Sequence, residues 1–211
     1  MNVLFTAALS KELKPVQSYL LSTFSIEKSA CFSFLKTDVG MKKAHSRLNE
    51  FLKTNSCDII INVGTAGTLH SDLNLKEILL PTSFHAFQKE TLKTIELSGS
   101  ISVLIPILPS SWKRGTIYSS GTQITLSSQK NSISKISDAV AVDMEAYSLA
   151  EICHKNSIPF VSLKVITDTA DNTAIKTFTG NLNKSIIVLK KSVKQLVECI
   201  FNNFLVTVEN G

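Results

Sequence analysis

Arginine is nearly absent from this sequence: of 22 basic residues in 211, only Arg47 and Arg114 are arginines. The net charge of +5 rests on lysines scattered in pairs, such as Lys42-Lys43 and Lys190-Lys191, with no tract among them. Nucleic-acid binding asks for a clustered basic face, so no nucleic-acid partner is expected. Long apolar runs are also missing, and none approaches the roughly 18 residues of a membrane span. The opening Met1–Leu9 is apolar but has no positively charged segment ahead of it and is too short for a leader, so a cytoplasmic chain with no membrane partner is expected. Cys31, Cys57, Cys153 and Cys199 fit neither a zinc spacing nor Cys-x-x-Cys. They read as free, mostly buried thiols of a reducing compartment. His45, His70, His85 and His154 form no ligand cluster and are expected at the surface or half-buried. Neither a metal nor an organic cofactor is expected. A P-loop lysine and a Gly-x-Gly-x-x-Gly fingerprint are both absent.

What is present is an alternation of strand and helix patterns. Val3–Ala8 reads as a first strand, followed by a helix opening at Lys11 with Ser10 as its N-cap. Phe32–Val39 is a second strand, stopped by Gly40. Lys42–Thr54 has helical spacing in Ala44, Leu48, Phe51 and Leu52. Cys57–Val63 is a continuous apolar run of the kind buried on both faces of a sheet, and it leads into Gly64-Thr65-Ala66-Gly67, which resembles an anion-binding turn. Glu77–Leu80, Gly115–Ser120 and Ala139–Val142 read as strands, with Ser100–Leu108 as another candidate. A helix over Glu145–Lys155 precedes a buried strand at Pro159–Thr167. Asn181–Phe204 is a long amphipathic helix. Thr82–Arg114 has weak periodicity and reads as an irregular insertion. The fold class is α/β, a single domain over residues 1–211, with three layers and a central mixed, largely parallel sheet.

Ligands of such sheets bind beyond the carboxyl ends of the strands, and carboxylates recur there: Glu12, Asp143, Glu145 and Asp168. Each has a structural reading as well. Glu12 suits the first turn of a helix, Asp143 and Asp168 suit N-caps, and Met144 suits a core. Paired carboxyl groups in unlike environments can also split an N-glycosidic bond. One, kept protonated by burial, protonates the leaving base, and the other activates water.

Five segments taken in order carry a resemblance: Phe5–Glu12, Asp58–Gly67, Ser120-Gly121, Val142–Ala146 and Ile166–Asp168. The chain resembles the nucleoside phosphorylase and nucleosidase superfamily, above all the 5′-methylthioadenosine/S-adenosylhomocysteine nucleosidases and futalosine hydrolases. The resemblance implies a nucleoside phosphorylase-like fold, a small-molecule purine nucleoside as partner and a homodimer, which the 44% hydrophobic composition also favours. It implies Asp168 as the acid at purine N7, Glu12 as the base toward water, and Glu145 with Met144 at the ribose. Thr65 and Ala66 would line the site, Thr125 would read the purine edge through its main chain, and Phe178 would lie near the base.

A phosphorylase must hold a phosphate dianion, which calls for arginine. At the strand end where the phosphorylase branch has one, this chain has Asn62, so water is the expected nucleophile. Ile124 stands where the methylthioadenosine nucleosidases carry an aromatic, and Lys164 where they carry an arginine near the water. Ser83–Phe87 replaces a segment rich in histidine and aspartate. These departures favour a futalosine-type nucleoside of menaquinone biosynthesis, whose carboxylate a lysine or histidine would meet. The alternatives are a methylthioadenosine or S-adenosylhomocysteine nucleosidase, a phosphorylase, and a non-catalytic nucleoside-binding relative.

Overall fold

The computed structural model describes residues 1–24, 31–97 and 99–204. Strand β1 (Asn2–Ala7) leads to helix α1 (Ser10–Thr23), then β2 (Cys31–Lys36), α2 (Met41–Leu52) and β3 (Ile59–Thr68). The hairpin β4 (Ile78–Gln88) and β5 (Thr91–Glu96) follows, then a short helix α3 (Gly99–Ser102), a 3₁₀ turn (Ile105–Ile107) and β6 (Lys113–Ser119). Helix α4 (Ser127–Ile136), β7 (Ala141–Asp143), α5 (Ala146–Lys155), β8 (Phe160–Asp168) and α6 (Ala174–Phe204) complete the order.

The sheet is mixed and largely parallel. β1 pairs in parallel with β2 and β3, β3 with β8, and β6 with both β4 and β7. The antiparallel pairs are β3–β7, β4–β5 and β4–β8. Because β8 pairs with both β3 and β4, the strands β3, β8, β4, β6 and β7 close into a ring. Every residue of β8 is buried, as a strand paired on both edges and covered on both faces should be. One apolar core lies between the sheet and helices α1 and α6, with Phe5, Ile61, Leu163, Leu189 and Leu196 at its centre. A second lies between the sheet and α2 and α5, around Leu48, Ile60, Phe84, Leu149 and Ile166.

Several expectations are corrected. The helix after β1 starts at Ser10, and Leu9, not Ser10, is its cap residue. The region 82–114 is no irregular insertion: β4 continues to Gln88 and returns as β5. Ser100–Leu108 is helical and 3₁₀, not a strand. Helix α6 begins at Ala174, well before Asn181. His85 is buried, its Nδ1 2.9 Å from Ser137 Oγ. Of the four cysteines, all free, Cys153 is buried, Cys57 and Cys199 are half-buried and Cys31 is exposed. Among the described residues no helix is long and apolar enough to cross a membrane.

Candidate active site

The segment Gly64–Gly67 is not a turn. It lies inside β3, which runs unbroken to Thr68. The anion it binds is the protein's own: Oε1 of Glu12 accepts the Thr65 N–H at 3.0 Å and the Thr65 hydroxyl at 2.8 Å. Oε2 of Glu12 accepts the Leu9 N–H at 3.1 Å, closing the first turn of α1. Three donors thus fix the carboxylate and leave an acceptor direction on Oε2. A Cβ at position 64 would come within 3.2 Å of Oε1, so glycine there lets the carboxylate lie against the strand.

Farther along β3, Gly67 faces Asp168, the last residue of β8. The register steps between Ala66 and Gly67, leaving Thr167 of β8 without a partner. Such a bulge re-aims the side chain beside it. Oδ1 of Asp168 accepts the Ala170 N–H at 3.0 Å, and Oδ2 accepts the Thr167 hydroxyl at 3.0 Å. The cap-like role ahead of α6 falls instead to Asp171, which accepts the Thr173 N–H at 2.8 Å.

Between these two carboxylates lies a cavity of about 250 Å³. Ala8, Leu9, Val39 and Phe178 supply apolar wall, and Thr122, Gln123 and Ile124 form the segment ahead of α4. Val142, Asp143, Met144 and Glu145 enter from the end of β7, and Lys164 and Asp168 from β8. Glu12, Glu145, Met144, Thr65, Ala66, Ile124, Lys164, Asp168 and Phe178 therefore share one cavity. Thr125 does not line it, and the Thr125 N–H donates to Gln129 Oε1 at 3.0 Å. Asn62 is buried away from the cavity, donating to Thr6 and accepting from Ser162.

Asp143 is a wall residue that the sequence marks as a strand-end carboxylate and a helix cap, with no role of its own at the site. It does accept the Ala146 N–H at 3.0 Å, but it also takes the Ser119 hydroxyl at 2.6 Å and the Lys164 ammonium at 2.9 Å. Both members of that ion pair are almost fully buried. Its signal in the sequence was a lysine inside an otherwise apolar strand, which requires a buried anion nearby.

Burial sets the electrostatics. It raises the Glu12 carboxyl above its usual range, partly opposed by Lys164, Thr65 and the Leu9 N–H. Burial, assisted by the charge of Asp143, raises Glu145 to about 7, while Lys164 and the Gly40 N–H work the other way. The Gly40 N–H donates to Glu145 Oε1 at 2.7 Å. Burial also raises Asp168, against the Ala170 N–H and the Thr167 hydroxyl. Lys164 stays charged: burial disfavours its ammonium, but Asp143, Glu145 and Glu12 outweigh it.

An apolar wall carrying carboxyl groups that burial pushes above their usual range is suited to general acid–base chemistry on a neutral organic ligand. Residues 110–198 match the model of the Phosphorylase superfamily. The chain resembles that superfamily. Its fold is nucleoside phosphorylase-like over most of its length, as solved structures show. The 5′-methylthioadenosine/S-adenosylhomocysteine nucleosidase of Helicobacter pylori superposes with a TM-score of 0.86 at 21% identity, covering 94% of this chain and 98% of that one. The futalosine hydrolase of the same organism gives 0.86 at 20% identity, covering 94% and 99%. In sequence, the 5′-methylthioadenosine/S-adenosylhomocysteine nucleosidase of Buchnera aphidicola is 26% identical, covering 90% of this chain and 88% of that protein. The Staphylococcus aureus enzyme of the same name is 28% identical over 76% of this phosphorylase-like chain and 79% of its own length.

Proposed function

We propose that this chain is a nucleosidase that cleaves the N-glycosidic bond of a 5′-modified purine nucleoside with water. The observation that carries the reading is the placement of Glu12 and Asp168 on one cavity, both with raised carboxyl pKa. They sit against Gly64 and Gly67, three strand residues apart, or about 10 Å. Both carboxyl groups line the one cavity of about 250 Å³, an acid and a base at a single site.

In this reading Asp168, protonated, gives its proton to purine N7 as the C1′–N9 bond breaks and the bond's electron pair leaves with the base. Water adds to C1′, and its proton passes to Glu12. Glu145 and Met144 hold the ribose. The products are the free purine and the free sugar.

Charge supports water over phosphate. Neither arginine lines the cavity: Arg47 pairs with Asp38 on the surface, and Arg114 donates to the carbonyls of Pro109, Ile105, Leu108 and Trp112. Among the described residues the one cation on the wall, Lys164, is bound by Asp143. A phosphate dianion would meet Glu12, Asp143, Glu145 and Asp168 with no free cation among the described wall residues to offset them.

The same accounting bears on the 5′ substituent. No wall cation among the described residues is free to meet a carboxylate, and His85 is turned to Ser137. An apolar thioether, as in methylthioadenosine, suits this wall better than a benzoate does. The named sequence relatives favour the same substrate. A futalosine-type nucleoside is the second reading, favoured by the superposition on futalosine hydrolase and by Ile124 in place of an aromatic. The experiment is purine release from methylthioadenosine, S-adenosylhomocysteine and aminodeoxyfutalosine, with and without phosphate. Release that is fastest from the thioether and indifferent to phosphate supports the proposal. Preference for aminodeoxyfutalosine moves it to the second reading, and release only with phosphate overturns hydrolysis.

A further inference from the structure

Helix α4 sends one long side chain across the site's far end. Nζ of Lys130 donates to the carbonyl of Thr68 at 3.0 Å and to that of Thr169 at 2.9 Å. Thr68 is the last residue of β3, and Thr169 follows the last residue of β8. One residue earlier, the same two strands present Gly67 and Asp168 to each other. The ammonium therefore spans the two strand ends immediately beyond the Gly67–Asp168 pair. A strand end leaves carbonyls without a ladder partner, and a single ammonium with three donors serves both.

A second tie joins the same elements: the Ser127 N–H, at the start of α4, donates to Asn172 Oδ1 at 3.1 Å. Helix α4 is thus fastened to the loop that follows Asp168, while the segment just ahead of it, Thr122–Ile124, forms cavity wall.

We propose that Lys130 is a positioning residue for Asp168, its ammonium bridging the Thr68 and Thr169 carbonyls so that the Asp168 carboxyl stays against Gly67 and toward the cavity. Its catalytic consequence rests on the acid role given to Asp168 above. The charged groups acting on Asp168 are Lys130 from α4 and Asp171 from its own loop. The partners from β3 and α6 are Gly67, Phe178 and Asn181, none of them titratable; Asn181 donates to the Thr167 carbonyl at 3.1 Å. Lys130 favours the ionised form of Asp168 and so limits the rise that burial causes.

The test compares Lys130→Met and Lys130→Arg with the wild type. Lys130→Met is expected to lower kcat about 10- to 100-fold, the scale of a mispositioned reacting group, with KM within about threefold. The upper limb of the pH–rate profile should move to higher pH, since Asp168 has lost the cation that favours its ionised form. Lys130→Arg, which keeps the charge and the donors, should restore most of kcat and leave the limb in place. Unchanged kcat in Lys130→Met overturns the proposal, and so does a lower Tm with the limb unmoved. Carboxyl NMR of ¹³C-aspartate-labelled protein, assigned with Asp168→Asn, separates the two readings. An upward shift of the Asp168 titration in Lys130→Met supports the clamp whether or not the protein releases purine, and an unshifted titration overturns it. A wild type that releases no purine sinks the nucleosidase reading alone.

Discussion

Gly67 and Asp168 are fitted to each other so closely that a Cβ on Gly67 would stand 2.5 Å from Oδ1 of Asp168. That contact is inside van der Waals limits, and the Ala170 Cβ, 3.1 Å away, leaves little room to yield. Gly67→Ala should therefore displace the carboxyl that the proposal makes the acid. We expect kcat to fall about 100-fold, with about 1–3 kcal/mol of stability lost to overpacking. Gly180→Ala in α6, where nothing lies within 4 Å, is the control. It should stabilise by about 0.5–1 kcal/mol and leave turnover intact. Purine release and urea unfolding of both variants check the pair.

Asp168→Asn keeps an acceptor for the Ala170 N–H and removes the proton. Turnover is expected to drop about 10²- to 10⁴-fold while a nucleoside still binds. Single-turnover kinetics beside calorimetric titration distinguishes loss of chemistry from loss of binding.

Glu145 makes stability depend on pH. Its folded pKa, about 7, lies above the 4.5 of a free glutamate side chain, so the folded state holds a proton that the unfolded state has released between those values. The stability this proton provides is full below pH 4.5 and is lost as pH rises through 7. Glu145→Gln can still accept the Gly40 N–H and escapes this loss. Relative to the wild type it should gain steadily from pH 4.5 to 7, by up to about 3 kcal/mol, and level off above. Equal slopes of Tm against pH for the two proteins would refute this.

Lys164→Met should be costly, because it strands Asp143 in the interior beside Glu12 and Glu145. Breaking one side of a buried pair costs about 3–5 kcal/mol. The loss should be smaller at pH 5, where Glu145 takes up a proton, and a pH series of denaturation curves reads this directly.

The parts legible in the sequence were those with strong local pattern. The run Ile59-Ile60-Ile61 marked β3, and apolar spacing marked α2 and the body of α6. The hairpin β4–β5 was hidden because the stretch from Thr82 has only weak periodicity. Pro81 is tolerated within β4 because the pairing with β6 shifts register between Pro81 and Ser83. Helix α4 buries one apolar residue, Ile133, so its serine-rich sequence shows no amphipathic stripe. Asp168 could be read equally as a cap or as a site residue, since Asp171 three residues on has the same local look, and only the bulge at Thr167 separates their roles. Thr125 was misplaced relative to the cavity by one position, because nothing local reveals that Gln129 turns back to hold its N–H.

Strand β8 fills the gap between β3 and β4 and closes the ring of strands. It is made late in the chain, and it brings Lys164 and Asp168 with it. Until it is inserted, β3 and β4 have open edges and Glu12 lacks the cation it faces. Regained turnover after refolding would therefore time the last closure of the ring rather than the first collapse. A far-ultraviolet signal that recovers ahead of activity would measure how long those open edges are exposed to association with other chains.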